Sequence, residues 1–291
     1  MAFLSFTFGL QHAFDLDHIT TIDNVTRKLI NEHQNSHGVG FFFSLGHSFV
    51  VILMALVTIL FMSWSKKELP HLKIVGNIFG PVISGSVLTL LGLINIFLLV
   101  SEYKQLHNFS KNDANEISQK DEPKIVKFFT KKINFIHSSA QMIIVGFFFG
   151  LGFDTATQIS VLATSAVATS EGIPWFAIIS FPLLFTAGMC LMDTTDGLFM
   201  SAAYGWLFSS PIQKLIYNIV LTGLSATVAI LVGVVEFIQV MGMEFNYSNW
   251  LISWCMNLNF LKLGILLALA LALIWGSSLI IYHRTRVNQV D

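Results

Sequence analysis

The chain has 291 residues, of which 54% are hydrophobic and only 11% are charged, and its formal net charge is −1. Soluble globular domains carry about 25% charged residues, so this composition excludes an ordinary soluble domain. The apolar runs are continuous, which also excludes the alternating pattern of a β-barrel, and the balanced charge gives no sign of a nucleic-acid partner. The sequence therefore predicts an all-α, polytopic helical membrane protein.

Seven apolar segments have about the length that a membrane-spanning helix needs, roughly 20 residues. They cover residues 2–24, 39–63, 74–101, 138–168, 173–208, 212–241 and 260–282. We expect these segments to form a single transmembrane domain over residues 1–291, with a hydrophilic cytoplasmic loop at 102–135. The loop is rich in Lys, Asn and Glu.

The basic residues predict the orientation of the chain. If the segments alternate in direction, twelve Lys and Arg residues, including Arg27 and Lys28, fall on one side and four on the other. Basic residues concentrate on the cytoplasmic side of membrane proteins. We therefore expect a multi-pass protein of the cell membrane with its carboxyl terminus in the cytoplasm.

Polar chemistry accumulates at the end of the first segment, where His12, Asp15, Asp17 and His18 fall within seven residues. A charged side chain at the bilayer centre costs roughly 2.5–3.5 kcal/mol, so such groups usually have a function there. On a regular helix Asp17 points away from the two histidines. If all three bind one ion, the helix must unwind locally, as helices of transporters do at binding sites. The alternative is a polar helix end that faces cytoplasmic water.

An eight-residue motif occurs twice, as VGFFFSLG at 39–46 and as VGFFFGLG at 145–152, with seven of eight positions identical. His47 follows the first copy, and Asp154 lies just after the second. The two copies indicate an internal structural repeat of the kind that many transporters contain. The repeat would place both polar residues at equivalent depths, unless the match is a coincidence in a chain rich in Phe and Gly.

Further carboxylates lie in the fifth segment, where Asp193 and Asp196 are three residues apart on one helix face. The segments contain no Lys or Arg near these acids, so we expect a net negative interior that bears imidazoles. Carboxylates alone suit Na⁺, Ca²⁺ or protons, whereas added neutral imidazoles favour Ni²⁺, Co²⁺ or Zn²⁺. Two cysteines in the whole chain argue against Cu⁺.

At these motifs the chain resembles the nickel/cobalt transporter family of bacterial and fungal permeases. The resemblance rests on HAFDLDHITTIDN at 12–24, GFFFSLGHS at 40–48, LGFDTAT at 151–157 and LFTAGMCLMDTTDG at 184–197. It implies that His12, Asp17 and His18 recognise the metal. The residues that match the other motifs, and would contribute to the metal site, are His47, Asp154, Asp193 and Asp196. Gln158 departs from the family pattern, which commonly has an acid there.

The resemblance implies eight helices with the first motif in the second, so this chain would lack the first helix. It also implies secondary uptake of Ni²⁺, and of Co²⁺ as an alternative substrate, with no enzymatic activity and no cofactor. We expect a divalent transition-metal ion and the lipid bilayer as partners, and no ATP-binding subunit encoded in this chain. Efflux or sensing of the same metals is an alternative, and a membrane-embedded metalloenzyme is a more distant one.

Overall fold

The computed structural model describes residues 1–111, 136–152, 156–205, 211–245 and 249–287. These residues form helices and connecting turns with no strand, which confirms the all-α prediction. The helices are α1 (Ala2–His12), α2 (Leu16–Asn31), α3 (Val39–Leu60), α4 (Met62–Lys111), α5 (Met142–Gly150), α6 (Ala156–Ser170), α7 (Trp175–Ile178), α8 (Ser180–Gly205), α9 (Pro211–Phe245), α10 (Trp250–Met256) and α11 (Phe260–Val287). A 3₁₀ turn at Ser139–Gln141 precedes α5.

Five helices of the described chain are long and apolar enough to cross a membrane. Their apolar stretches are Val39–Leu60, Val75–Lys104, Trp175–Ala202, Leu215–Phe245 and Phe260–Ser277. They correspond to the second, third, fifth, sixth and seventh predicted segments. Large apolar side chains such as Phe49, Leu191 and Leu231 remain exposed on their outer faces, as a lipid-facing surface requires. The predicted count of seven spans is not confirmed.

The first predicted segment is two helices rather than one. Helix α1 ends at His12, and α2 begins at Leu16 after Asp15, whose backbone is extended with φ −62° and ψ 141°. The break turns the polar residues of α2 into the centre of the bundle, where α2 contacts α3, α4, α8, α9 and α11. The local unwinding that the polar cluster required is therefore present at residues 13–15.

Helix α2 corrects one expectation about charge. Arg27 and Lys28 were expected beyond the first segment, in cytoplasmic water, but they are 1% and 3% exposed. The reason is that α2 continues to Asn31 inside a ring of other helices. The interior thus contains basic side chains close to its carboxylates, contrary to the prediction from the segment boundaries.

The fourth predicted segment also contains an interruption. Helix α5 ends at Gly150 and α6 begins at Ala156. Phe153 and Asp154 lie outside the described residues, so the depth predicted for Asp154 by the repeat stays a prediction.

The first residues of the predicted loop at 102–135 are helical. Helix α4 continues through residues 102–111 and ends at Lys111. Glu102 is partly buried at this end of α4, so residue 102 belongs to the helical bundle. Residues 112–135 lie outside the described part of the chain.

Glycines allow the helices around the centre to cross at backbone contact. A Cβ atom added to Gly146 would lie 1.9 Å from the carbonyl oxygen of Phe43, and one added to Gly40 would lie 1.8 Å from that of Asp193. Both distances are far below van der Waals contact. The two copies of the repeated motif, on α3 and α5, therefore pack directly on each other, as small residues permit in membrane proteins.

We predict that Gly146→Ala destabilises the protein by about 1–3 kcal/mol, the usual cost of overpacking. The new methyl group meets a backbone carbonyl, which cannot move aside as a flexible side chain would. The measurement is the thermal unfolding midpoint of the purified chain in detergent. Gly276→Ala is the matched control, because its Cβ meets no atom within 4 Å. Equal midpoints for the two variants would contradict the packing argument.

Candidate metal site

Three histidines from three helices converge in the centre of the bundle. His12 ends α1, His18 lies in the first turn of α2, and His47 lies in α3. One ring nitrogen of each lies within 4.8 Å of the others, and the side chains belong to residues that are 2%, 0% and 2% exposed. The break between α1 and α2 is what brings His12 and His18 together, with their ring centroids 4.6 Å apart.

A fourth polar side chain completes this group, which we call the histidine cluster: His12, His18, His47 and Gln158. The Nε2 atoms of His12 and His47 are 3.0 Å apart. Gln158 of α6 places its Nε2 3.0 Å from His12 Nε2 and 2.5 Å from His47 Nε2. Three nitrogen atoms on three helices therefore meet at one point.

The amide of Gln158 also has an oxygen that could face the histidines. Its Oε1 is buried and has no hydrogen-bond partner among the described residues. Because the nitrogen and oxygen of an amide are exchanged by a simple flip, the oxygen can take the position that now faces the two imidazoles. In the sequence, Gln158 stood out only as a departure from a family pattern. Its contact with His12 could not be predicted, because the two residues are 146 positions apart.

Carboxylates hold the outer nitrogens of two rings. Asp15 Oδ2 lies 3.0 Å from His12 Nδ1, and Asp193 Oδ2 lies 3.4 Å from His18 Nδ1. The hydroxyl of Ser44 donates to the same Asp193 oxygen at 2.6 Å. Carboxylate-supported histidines are typical of metal sites, since the carboxylate fixes the ring and its tautomer.

Because the carboxylates contact only the Nδ1 atoms of His12 and His18, the Nε2 atoms of these rings remain available for an ion. His18 Nε2 is buried and has no hydrogen-bond partner within the described chain. Phe43 stacks edge-on against His18 at 4.8 Å, and Phe185 lies 5.5 Å from His12. The site thus has polar atoms on its inside and aromatic rings around it, which keeps water away from the imidazoles.

The other predicted site residues lie at different distances from the histidine cluster. Asp17 is half-buried and its carboxylate accepts a hydrogen bond of 2.9 Å from the backbone N–H of His18. Asp193 stands behind His18, as described. Asp196 is near Asp193 and Asp23, one helical turn farther along α8. Asp154 lies outside the described residues.

The geometry fits a small transition-metal ion after a modest contraction. Two nitrogens bound to an ion at about 2.1 Å can be no more than about 4.2 Å apart, which is slightly less than the widest separation of 4.8 Å. Neutral imidazoles with nearby carboxylates favour Ni²⁺, Co²⁺ or Zn²⁺ over Na⁺ or Ca²⁺. The histidine cluster can therefore select a divalent ion by its nitrogen ligands.

A buried, nitrogen-rich site flanked by acids in a helical membrane protein is typical of metal-ion transport proteins. The family model NicO, described as high-affinity nickel-transport protein, matches residues 1–281 of this chain. The chain belongs to this family. The match confirms the resemblance that its four motifs indicated.

Curated relatives cover nearly the whole chain. The nickel transporter NicT of Mycobacterium tuberculosis is 38% identical over 98% of this chain and 79% of its own length. The high-affinity nickel-transport protein NixA of Helicobacter pylori is 39% identical over 90% of this chain and 82% of its own. The cobalt transport protein NhlF of Rhodococcus rhodochrous is 30% identical over 96% and 82%. No solved structure matches the chain.

We predict that Asp193→Asn weakens Ni²⁺ binding about 10- to 100-fold, the usual effect of losing a carboxylate that supports a metal-binding histidine. An amide at this position no longer attracts the His18 ring through a negative charge. The measurement is calorimetric titration of the purified protein with Ni²⁺. Thr195→Val is the matched control, since Thr195 is exposed and its hydroxyl bonds the carbonyl of Leu191 in its own helix. Unchanged affinity in Asp193→Asn would refute the supporting role.

Proposed function

We propose that this protein is a secondary transporter that takes up Ni²⁺, with Co²⁺ as an alternative substrate, through the histidine cluster. The observation that carries the proposal is that three imidazoles from three helices meet at the centre of a membrane protein. Family membership supports it, because the matching model describes high-affinity nickel transport. The cobalt transport protein among the relatives supports Co²⁺ as the second substrate.

The buried position of the histidine cluster supports the proposal that an ion binds there. Polar and ionisable groups inside a membrane protein are costly unless they pair with one another or with a substrate. Asp15 and Asp193 each pair with a histidine, but among the described residues the facing nitrogens of His12 and His47 contact only each other and Gln158. A divalent cation satisfies these lone pairs together.

The proposed roles follow from position. His12, His18 and His47 bind the ion directly, and Gln158 contacts it through its amide. Asp15 and Asp193 orient the rings. Asp17, Asp154 and Asp196 supply the further negative charge that offsets the loss of the hydration shell, because an ion entering a low-dielectric interior needs nearby opposite charge.

The driving force that we propose is the membrane potential. An inside-negative potential favours entry of a divalent cation by about 4.6 kcal/mol per 100 mV, since each charge contributes about 2.3 kcal/mol. We further propose that the carboxyl terminus lies in the cytoplasm, which the excess of basic residues on that side supports even without the buried Arg27 and Lys28. Release then requires a conformational change that opens the cluster to that side, as in other transporters with broken helices.

We predict that His12→Ala and His47→Ala reduce accumulation of labelled nickel in whole cells to the level of cells without the protein. Each substitution removes one of the three Nε2 atoms, from His12, His47 and Gln158, that lie together in the histidine cluster. The same assay with Asp154→Asn tests the acid whose position lies outside the described residues.

His37→Ala is the control for these variants, because His37 is exposed and contacts Asn35 near the start of α3. It is expected to accumulate nickel at the wild-type level. Wild-type accumulation in His12→Ala and His47→Ala would refute the assigned site. Less nickel in cells with the wild-type protein than in cells without it would show efflux instead of uptake.

We predict that Gln158→Glu tightens Ni²⁺ binding about tenfold or more, because a carboxylate is a charged ligand where the amide is neutral. Gln158→Leu is expected to weaken binding, since it removes the polar contact with His12 and His47 while keeping the volume. The measurement is the same calorimetric titration. Gln239→Glu is the matched control, because Gln239 donates to the carbonyl of Cys255 between α9 and α10. If all three variants bind Ni²⁺ equally, Gln158 does not contact the ion.

A further inference from the structure

A second buried polar group lies next to the histidine cluster and is centred on Arg27. Its Nη2 donates to both carboxylate oxygens of Asp23 at 3.1 Å and to the hydroxyl of Ser225 at 2.7 Å. Its Nη1 donates to the hydroxyl of Thr222 at 3.2 Å. Each of these residues is no more than 3% exposed, so a full ion pair is enclosed between α2 and α9.

On one side, the ion pair faces the acids of α8. Asp196 lies close to the carboxylates of Asp23 and Asp193. Asp193 in turn contacts His18. Asp196 Oδ2 is buried without a hydrogen-bond partner in the described chain. Carboxylates therefore follow one another from the histidine cluster to Arg27.

On the other side, the guanidinium faces a different carboxylate. Glu102 of α4 accepts a hydrogen bond from the hydroxyl of Thr222 and is attracted to Arg27. Its Oε2 is buried with no hydrogen-bond partner among the residues that the structure describes. Tyr217 of α9 is close to both Arg27 and Asp23. Arg27 thus lies between acids on two helices, and Thr222 contacts both Arg27 and Glu102.

The charges in this region indicate which carboxylate the Arg27 guanidinium pairs with in the absence and in the presence of a metal ion. Without a metal ion, Asp23 pairs with the positive charge of Arg27, and the carboxyl groups of Asp193 and Asp196 lie beside this pair. Lys28 points elsewhere, to the carbonyl of Ile136. A divalent ion adds two positive charges to the same region, which repel the guanidinium and attract the carboxylates.

We propose that Arg27 is the internal counter-ion of the metal-free transporter. The inference rests on the proposed function. In the metal-free protein Arg27 neutralises Asp23 and reduces the charge around Asp196, so that the empty protein can change conformation without exposing unpaired acids to the bilayer. When the ion is bound, the guanidinium moves from Asp23 toward Glu102.

Arg27 is then necessary for only one half of the transport cycle, the return of the empty protein. Net uptake requires the empty protein to return, whereas exchange of Ni²⁺ for Ni²⁺ needs only the loaded protein to change conformation. A buried ion pair adds little stability by itself and is better known as a device that selects between states. A purely structural role would affect uptake and exchange alike.

The test uses the full chain in liposomes with two measurements on the same protein. Net uptake of labelled Ni²⁺ is driven by an inside-negative potential, and exchange is measured with unlabelled Ni²⁺ on both sides. Arg27→Gln is expected to lower net uptake about tenfold or more, because the empty protein then carries an uncompensated acid. Exchange and calorimetric Ni²⁺ affinity are expected to stay near wild type, and Arg27→Lys is expected to restore part of net uptake.

Glu102→Gln provides a second variant that keeps the Arg27–Asp23 pair. It removes the alternative partner of the guanidinium, so exchange is expected to slow while the fold is retained. Glu171→Gln is the matched control, since Glu171 is exposed after the end of α6, and it is expected to behave as wild type in both measurements.

Several outcomes would overturn the proposal. They are normal net uptake in Arg27→Gln, equal loss of uptake and exchange in that variant, or unchanged exchange in Glu102→Gln. If Arg27→Gln does not fold, the result of Glu102→Gln decides. A wild-type protein that binds no Ni²⁺ would refute the proposed function itself, whereas the other outcomes leave that function standing.

Discussion

The enclosed helix α2 is the constraint on which the rest of the structure depends. It carries the polar residues that a bilayer disfavours, including His18, Asp23, Asn24 and Arg27, and all four are 1% exposed or less. A helix with this composition cannot face lipid, because each unpaired group would cost several kcal/mol. The apolar helices α3, α4, α8, α9 and α11 contact it and supply its partners, so the histidine cluster and the ion pair both follow from where α2 lies.

Interruption of the helices complements this enclosure. Residues 13–15 separate α1 from α2 and let His12 and His18 approach across the break, while His47 comes from a continuous helix. Backbone that is not helical is tolerated at membrane depth where protein surrounds it or where it lines a polar cavity. The break therefore gives His12 and His18 a relative orientation that a straight helix cannot provide.

Parts of this arrangement follow from the sequence because their causes are local. The apolar runs predicted the five long helices, and the conflict between imidazoles, acids and hydrocarbon predicted a functional centre with a local unwinding. Arg27 was missed because basic residues after an apolar segment usually lie in water, and its partners Thr222 and Ser225 are about 195 positions away. Gln158 was noted as unusual, but a neutral polar residue carries no signal of which imidazoles it meets.

The crossing of α3 and α8 couples the histidine cluster to the packing of whole helices. Gly40 lies against the backbone carbonyl of Asp193 with no room for a side chain, and the carboxylate of that same residue contacts His18. One turn along α3 from Gly40, Ser44 donates to that carboxylate. Sliding or tilting of α3 would therefore shift the Asp193 carboxylate, and with it the contact to His18, directly. The geometry of the histidine cluster and the geometry of the bundle therefore depend on the same helix crossing.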